Sequence, residues 1–162
     1  MLKKNKTNIT EVGIDVSSNG VLRANEKEIK AFVRPLEYYN NDKELFDYVV
    51  VSEVIEHVEN SEYFVTRGYE LAKQKLIITI PNTGYYTYRL RLLFGKFPVQ
   101  WVHHPAEHLR FWTIKDFEMW LGSLNLEFKE IRVISSNGLP YFNIYKLLPS
   151  LFAKQCVFVL EK

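Results

Sequence analysis

The run Phe46-Asp47-Tyr48-Val49-Val50-Val51-Ser52-Glu53-Val54-Ile55-Glu56-His57 constrains this chain more than any other stretch. Its first half is short, apolar and β-branched, the composition of a strand covered on both faces, and it turns polar abruptly at Ser52-Glu53. In open α/β sheets, ligands bind beyond the carboxyl ends of the strands. Ser52, Glu53, Glu56 and His57 therefore fall where chemistry is expected.

The flanking sequence repeats the alternation of strand and helix. Residues 11–16 read as a strand ending at an acid, and Ser17-Ser18-Asn19 offers N-caps for a helix to about residue 29. A second strand at 31–33 is stopped by Pro35, and 37–43 is polar loop. Beyond Ser52, the apolar positions Val54, Ile55, Val58, Phe64, Val65, Tyr69 and Leu71 predict helix to about residue 73, broken near Asn60-Ser61 with Ser61 as a second cap. Residues 75–80 form a strand that Pro81-Asn82 stops at the same edge as Ser52.

A helix over 85–94 is closed by Gly95, and Thr113 caps another over 114–121 with Asp116 in its first turn. Between them, residues 97–112 are aromatic, carry three of the four histidines and read as a loop or lid. Strands at 127–134 and 154–161 bracket a connection containing proline and glycine and predict an antiparallel edge on an otherwise parallel sheet. The expectation is one α/β domain over 1–162, its first ten residues flexible, with Asp15, Ser52-Glu53 and Pro81-Asn82 ending neighbouring strands along one rim.

Composition narrows the function classes. A formal charge of +2 and the lack of a Lys/Arg block point away from nucleic acid. No apolar stretch has membrane-spanning length, and the basic N-terminus lacks an apolar h-region, which predicts a cytoplasmic protein with no membrane partner. The single cysteine, Cys156, sits in an apolar run and reads as a small buried hydrophobe.

Taken together, Asp15, the run 46–57, Ile80-Pro81-Asn82, Arg89-Leu90-Arg91-Leu92-Leu93-Phe94-Gly95 and Pro98-Val99 resemble the class I S-adenosylmethionine-dependent methyltransferases, more narrowly their MetW-like and methyltransferase type 11-like branch. The resemblance implies a Rossmann-like, mostly parallel sheet with helices on both faces and an antiparallel last strand. It implies S-adenosylmethionine as cofactor, methyl transfer to a small-molecule or carbohydrate-like acceptor, and, for the MetW-like branch, association with a homoserine acyltransferase. Asp15 and Val16 match the ribose-binding position, where a carboxylate accepts from two hydroxyls at once. Ser52 and Glu53 match positions beside the methionine portion, and Glu56-His57 the pair that follows. Two departures stand out. The family's first strand and glycine-rich loop should precede Asp15 by about twenty residues, and the chain reads Val33-Arg34-Pro35-Leu36 where many relatives hold the adenine with an acid. The expectation is an N-terminally incomplete fold, with a protein partner or a homodimer able to supply the strand.

His57 and His108 are the candidate proton acceptors, since an unperturbed imidazole titrates near neutral pH. Asn82, Arg89, His103, His104 and Arg110 are the candidate substrate-binding residues. A metal held by His103, His104 and His108 with Glu107 is a secondary reading, because neighbouring residues of an extended segment point in opposite directions. Three function classes are thus carried: a methyltransferase, a non-catalytic module of the same fold, and, more weakly, a metal-dependent hydrolase built on the histidine loop.

Overall fold

In the computed structural model of the chain, residues 9–36, 45–98, 107–136 and 144–162 are described. They fall into two compact units, Met1–Asp42 and Lys43–Lys162.

In the first unit β1 (Gly13–Asp15) pairs in parallel with β2 (Ala31–Val33), and α1 (Ser18–Asn25) joins them. The Ser17 side chain caps α1 by accepting from the Gly20 N–H at 3.1 Å, as its position before the helix predicts. The helix stops short of residue 29. The amide of Asn25 pairs with both backbone groups of Ala31, each at 3.1 Å, and Glu28 turns left-handed at φ 62° to feed β2.

The second unit is built on a four-stranded sheet in the order β3-β4-β6-β5. Here β3 (Phe46–Ser52) runs parallel to β4 (Ala72–Pro81), while β6 (Gln155–Glu161) is antiparallel to both β4 and β5 (Glu130–Ser136). The expected antiparallel C-terminal strand is present and lies inside the sheet. Four helices accompany these strands: α2 (Ser61–Leu71), α3 (Tyr86–Leu93), α4 (Ile114–Ser123) and the short α6 (Pro149–Phe152), preceded by a single turn, α5 (Ile144–Leu147).

One face of the sheet carries the core. Leu76, Ile78 and Ile80 of β4 stand in register with Leu160, Phe158 and Cys156 of β6, and all six are fully buried. Onto this face α4 lays Phe117, its ring centroid 4.5 Å from that of Phe158. Helix α2 approaches so closely that a Cβ on Gly68 would stand 3.0 Å from Leu76 Cδ1; the bare backbone is what lets helix and strand meet there. Cys156 behaves as the sequence implies: burial pushes its thiol up to about 12, far from reactive thiolate character.

Two sequence expectations are corrected. The strand 46–52 is not covered on both faces: β3 is an edge strand among the described residues, and Tyr48 and Val50 are 54% and 61% exposed on its outer face. Composition reports that a strand can be buried, but what packs on each face decides whether it is. Residues 53–60 form a turn rather than helix, since Glu53 leaves the strand left-handed at φ 51°. Asn60, not Ser61, then caps α2, accepting from the Tyr63 N–H at 2.9 Å, while the buried Ser61 hydroxyl donates to the Ile55 carbonyl at 2.7 Å. No helix among the described residues is long and apolar enough to cross a membrane.

Candidate active site at the ends of β3 and β4

Strands β3 and β4 end side by side, Ser52 opposite Thr79. Their hydroxyls share a hydrogen bond of 3.0 Å, and the Glu53 N–H donates to Thr79 Oγ1 at 3.0 Å. These bonds hold Glu53 in a conformation that costs a non-glycine residue roughly 1 kcal/mol or more. Strain of this kind at a strand end re-aims the chain, and here it sends Ile55-Glu56-His57 back over the rim.

A second segment closes on that turn. The backbone N–H groups of Leu109 and Arg110 both donate to the Glu56 carbonyl, at 2.7 and 3.2 Å. His57 donates from Nδ1 to the Glu107 carbonyl, because a carbonyl can only accept. In the neutral imidazole that bond selects the Nδ1–H tautomer and leaves Nε2 as the accepting nitrogen. His108 is thereby brought against His57, their rings perpendicular with centroids 4.6 Å apart.

Glu56 lies beneath the pair, fully buried, and neither carboxylate oxygen has a hydrogen-bond partner. Burial pushes its carboxyl up to about 7, partly offset by its own backbone amide and reinforced by the charge of Glu53. His108 is driven the other way, below the ordinary histidine value, by burial first and then by the neighbouring His57. One Oε of Glu53 and Nδ1 of His108 are also buried without partners. Such a concentration of unmade hydrogen bonds at a strand end makes this group the candidate site.

The two shifts oppose each other in stability. Glu56 carries a folded value above its unfolded one, so its contribution is present below the ordinary carboxylate range and lost as pH rises through about 7. His108, with a lowered value, gains stability over part of the same range. Comparison of the wild type with Glu56→Gln isolates the first effect. Urea denaturation with a chelator present is expected to show the variant gaining on wild type by roughly 3 kcal/mol between pH 5 and pH 8. A constant difference across that range would show that Glu56 stays ionised throughout.

The remaining predicted residues are placed as follows. Asp15 and Val16 end β1 in the first unit and are exposed, and Asp15 Oδ1 accepts from the Ser17 N–H at 2.7 Å. Among the described residues β1 pairs with β2 within the first unit, and the strand ends that adjoin within the second are those of β3 and β4. Asn82, at the end of β4, is fully buried; its amide donates to the Ala153 carbonyl at 2.7 Å and its Oδ1 accepts from the Gly84 N–H at 2.9 Å. The Arg89 guanidinium donates to the Gly84 carbonyl at 2.6 Å, and that of Arg110 reaches the Glu59 carbonyl and Glu62. His103 and His104 lie outside the described residues. Glu56, expected at the strand end, was assigned no catalytic or binding role from the sequence. Its adjacency to His57 was visible, but its burial depends on residues 107–110 folding over it.

The sequence profile described as "Methionine biosynthesis protein MetW" matches residues 1–160. Among curated proteins, the Ubiquinone biosynthesis O-methyltransferase of Rickettsia bellii is 28% identical over 145 residues, covering 81% of this chain and 60% of the relative. The chain thus spans about 60% of the length of the curated relatives it matches. Among solved structures, a SAM-dependent methyltransferase from Thermotoga maritima, titled a possible histamine N-methyltransferase, superposes with a TM-score of 0.67 at 14% identity, over 94% of this chain and 72% of its own. The magnesium protoporphyrin IX methyltransferase of Synechocystis PCC 6803, solved with bound SAH, gives 0.58 at 15% identity, over 93% and 63%.

Proposed function

The chain belongs to the MetW family, within the class I S-adenosylmethionine-dependent methyltransferase superfamily, and from that premise we propose that it binds S-adenosylmethionine and serves methyl transfer to a small-molecule or carbohydrate-like acceptor in the cytoplasm. The observation that carries this reading is the rim at β3 and β4, where a strained Glu53 with an unpartnered carboxylate oxygen stands beside the Glu56-His57-His108 group. The donors within each unit suit groups of the cofactor: in the first unit Asp15 keeps a second carboxylate oxygen able to accept from hydroxyls, and in the second Ser52 and Glu53 offer acceptors to an ammonium group. The cofactor supplies an electrophilic methyl on a sulfonium. What the chain supplies is placement and proton handling. His57, held through Nδ1 by the Glu107 carbonyl, presents Nε2 as an acceptor for a proton from the nucleophile.

Calorimetric titration of the protein with S-adenosylhomocysteine tests the proposal. A saturable, one-to-one heat is expected, weakened at least tenfold in Asp15→Ala; no heat from folded protein at high micromolar ligand would overturn it.

A second reading is favoured by one observation: among the described residues β3 lies at the edge of its sheet, and Tyr48 and Val50 are exposed on one of its faces. An edge strand with an exposed apolar face can serve as a template for another strand. We therefore keep the alternative of a methyltransferase-fold module that works through a protein partner or a second copy supplying that strand. The same titration separates the two, since such a module need not bind the cofactor.

A further inference from the structure

We propose that Glu56, His57 and His108 form a binding site for one divalent first-row transition cation at the end of β3. The three side chains offer one ligand atom each, all within 4.8 Å of one another. Donors around a tetrahedral cation stand about 3.4 Å apart, given metal–nitrogen and metal–oxygen bonds of about 2.1 Å. Closing the set therefore asks for side-chain movements of about 1 Å, within reach of a His57 whose side chain is 41% exposed.

Three features distinguish this group from an incidental cluster. The first is that Glu56 is fully buried with both carboxylate oxygens unpartnered, an arrangement that is costly unless something positive completes it. Glu56 Oε1 is also turned toward Nε2 of His57, at 3.8 Å. The second is that His57 already has the support typical of a metal-bound imidazole. Its Nδ1–H is held by the Glu107 carbonyl, so Nε2 of the neutral ring is oriented as a donor atom for a cation. The third is that His108 presents a buried Nδ1 with no hydrogen bond.

Two neutral imidazoles and one carboxylate select a borderline cation such as Zn²⁺, Co²⁺ or Ni²⁺ over Mg²⁺, which prefers oxygen ligands and keeps its waters. Glu53, whose buried Oε1 is also unpartnered, adds negative charge beside the set. Three protein donors leave coordination positions open on the exposed side of His57, so the cation can take an oxygen ligand from outside the protein. With a cation bound, Nε2 of His57 is a ligand and not a base. The site stands on its own geometry and does not depend on cofactor binding.

The test uses the whole chain, purified without a histidine tag and stripped with chelator. Titration with Co²⁺ is expected to give one equivalent bound per chain, with visible d–d absorption, displaced by stoichiometric Zn²⁺ and unaffected by millimolar Mg²⁺. His108→Ala, shown folded by circular dichroism, is expected to bind at least tenfold more weakly. Absence of saturable Co²⁺ binding by the wild type would overturn the proposal, as would undiminished binding by the folded variant. Should that variant not fold, side-chain NMR of wild-type histidines during Zn²⁺ titration decides the matter. Shifts at Nε2 of His57 and Nδ1 of His108 support the site, and unmoved resonances refute it. Because S-adenosylhomocysteine is left out, failure here and failure of the methyl-transfer reading are seen separately.

Discussion

Replacing Phe158 by alanine is expected to lower the unfolding free energy by about 4 kcal/mol, the usual cost of deleting a fully buried aromatic ring. Phe158 sits at the middle of β6, the strand that joins β4 to β5, and its ring meets Phe117 of α4 at 4.5 Å. Opposite it in register stand Ile78 and Val133. The substitution therefore opens a void where three strands and a helix converge, and close-packed surroundings relax only partly to fill it. Marginal stability makes a loss of this size visible in any denaturation curve. Urea unfolding followed by the fluorescence of Trp112 and Trp120, both beside Phe117, is the appropriate measurement. Phe158→Leu keeps most of the volume and is expected to lose less than half as much. A loss below about 1 kcal/mol for the alanine variant would show that β6 is not the centre of the sheet's packed face.

The second large effect is expected at Asn82, and it separates two roles for that residue. Its amide nitrogen lies 2.7 Å from the Ala153 carbonyl and 3.3 Å from that of Ser150, while its Oδ1 takes the Gly84 N–H at 2.9 Å. Asn82→Leu preserves size and removes every one of these bonds, leaving buried backbone groups without partners. Each such orphan costs roughly 1–3 kcal/mol, so a total of about 3 kcal/mol is expected. If Asn82 instead served mainly to bind substrate, the variant would unfold near the wild-type midpoint and lose ligand affinity. Denaturation and ligand titration on the same preparation give the answer.

Asn82 also shows how far a sequence can be read. That Pro81-Asn82 ends a strand follows from proline's missing N–H and from the apolar run before it. That the amide side chain turns inward to tie residues 149–153 depends on a connection whose path no local pattern reports. The same division runs through β3. Its β-branched run marks a strand, and the polar switch at Ser52-Glu53 marks the end where a site would form. Only pairing on one side reveals it as an edge with Tyr48 and Val50 outward.

The histidines make the point most sharply. His57 and His108 were legible as candidates because imidazole titrates near neutral pH, and Glu56 is adjacent to one of them. Spacing along the loop favoured grouping His108 with His103 and His104, since those residues are close in sequence. The tertiary structure groups it with Glu56 and His57, fifty residues away, because two backbone bonds to one carbonyl fold the segment onto the strand end.

What the sequence determined by itself was therefore local: which stretches are strands, where they stop, the Ser17 and Thr113 caps though not that of α2, and the family whose order of motifs this is. Those properties depend on side chains within a few residues of one another, through sterics, capping and hydrophobic period. The tertiary structure decided the burial of Glu56, the tautomer of His57, the company of His108 and the inward turn of Asn82. Each of these depends on desolvation and on hydrogen bonds between segments distant in the chain, and such terms exist only once the segments have met.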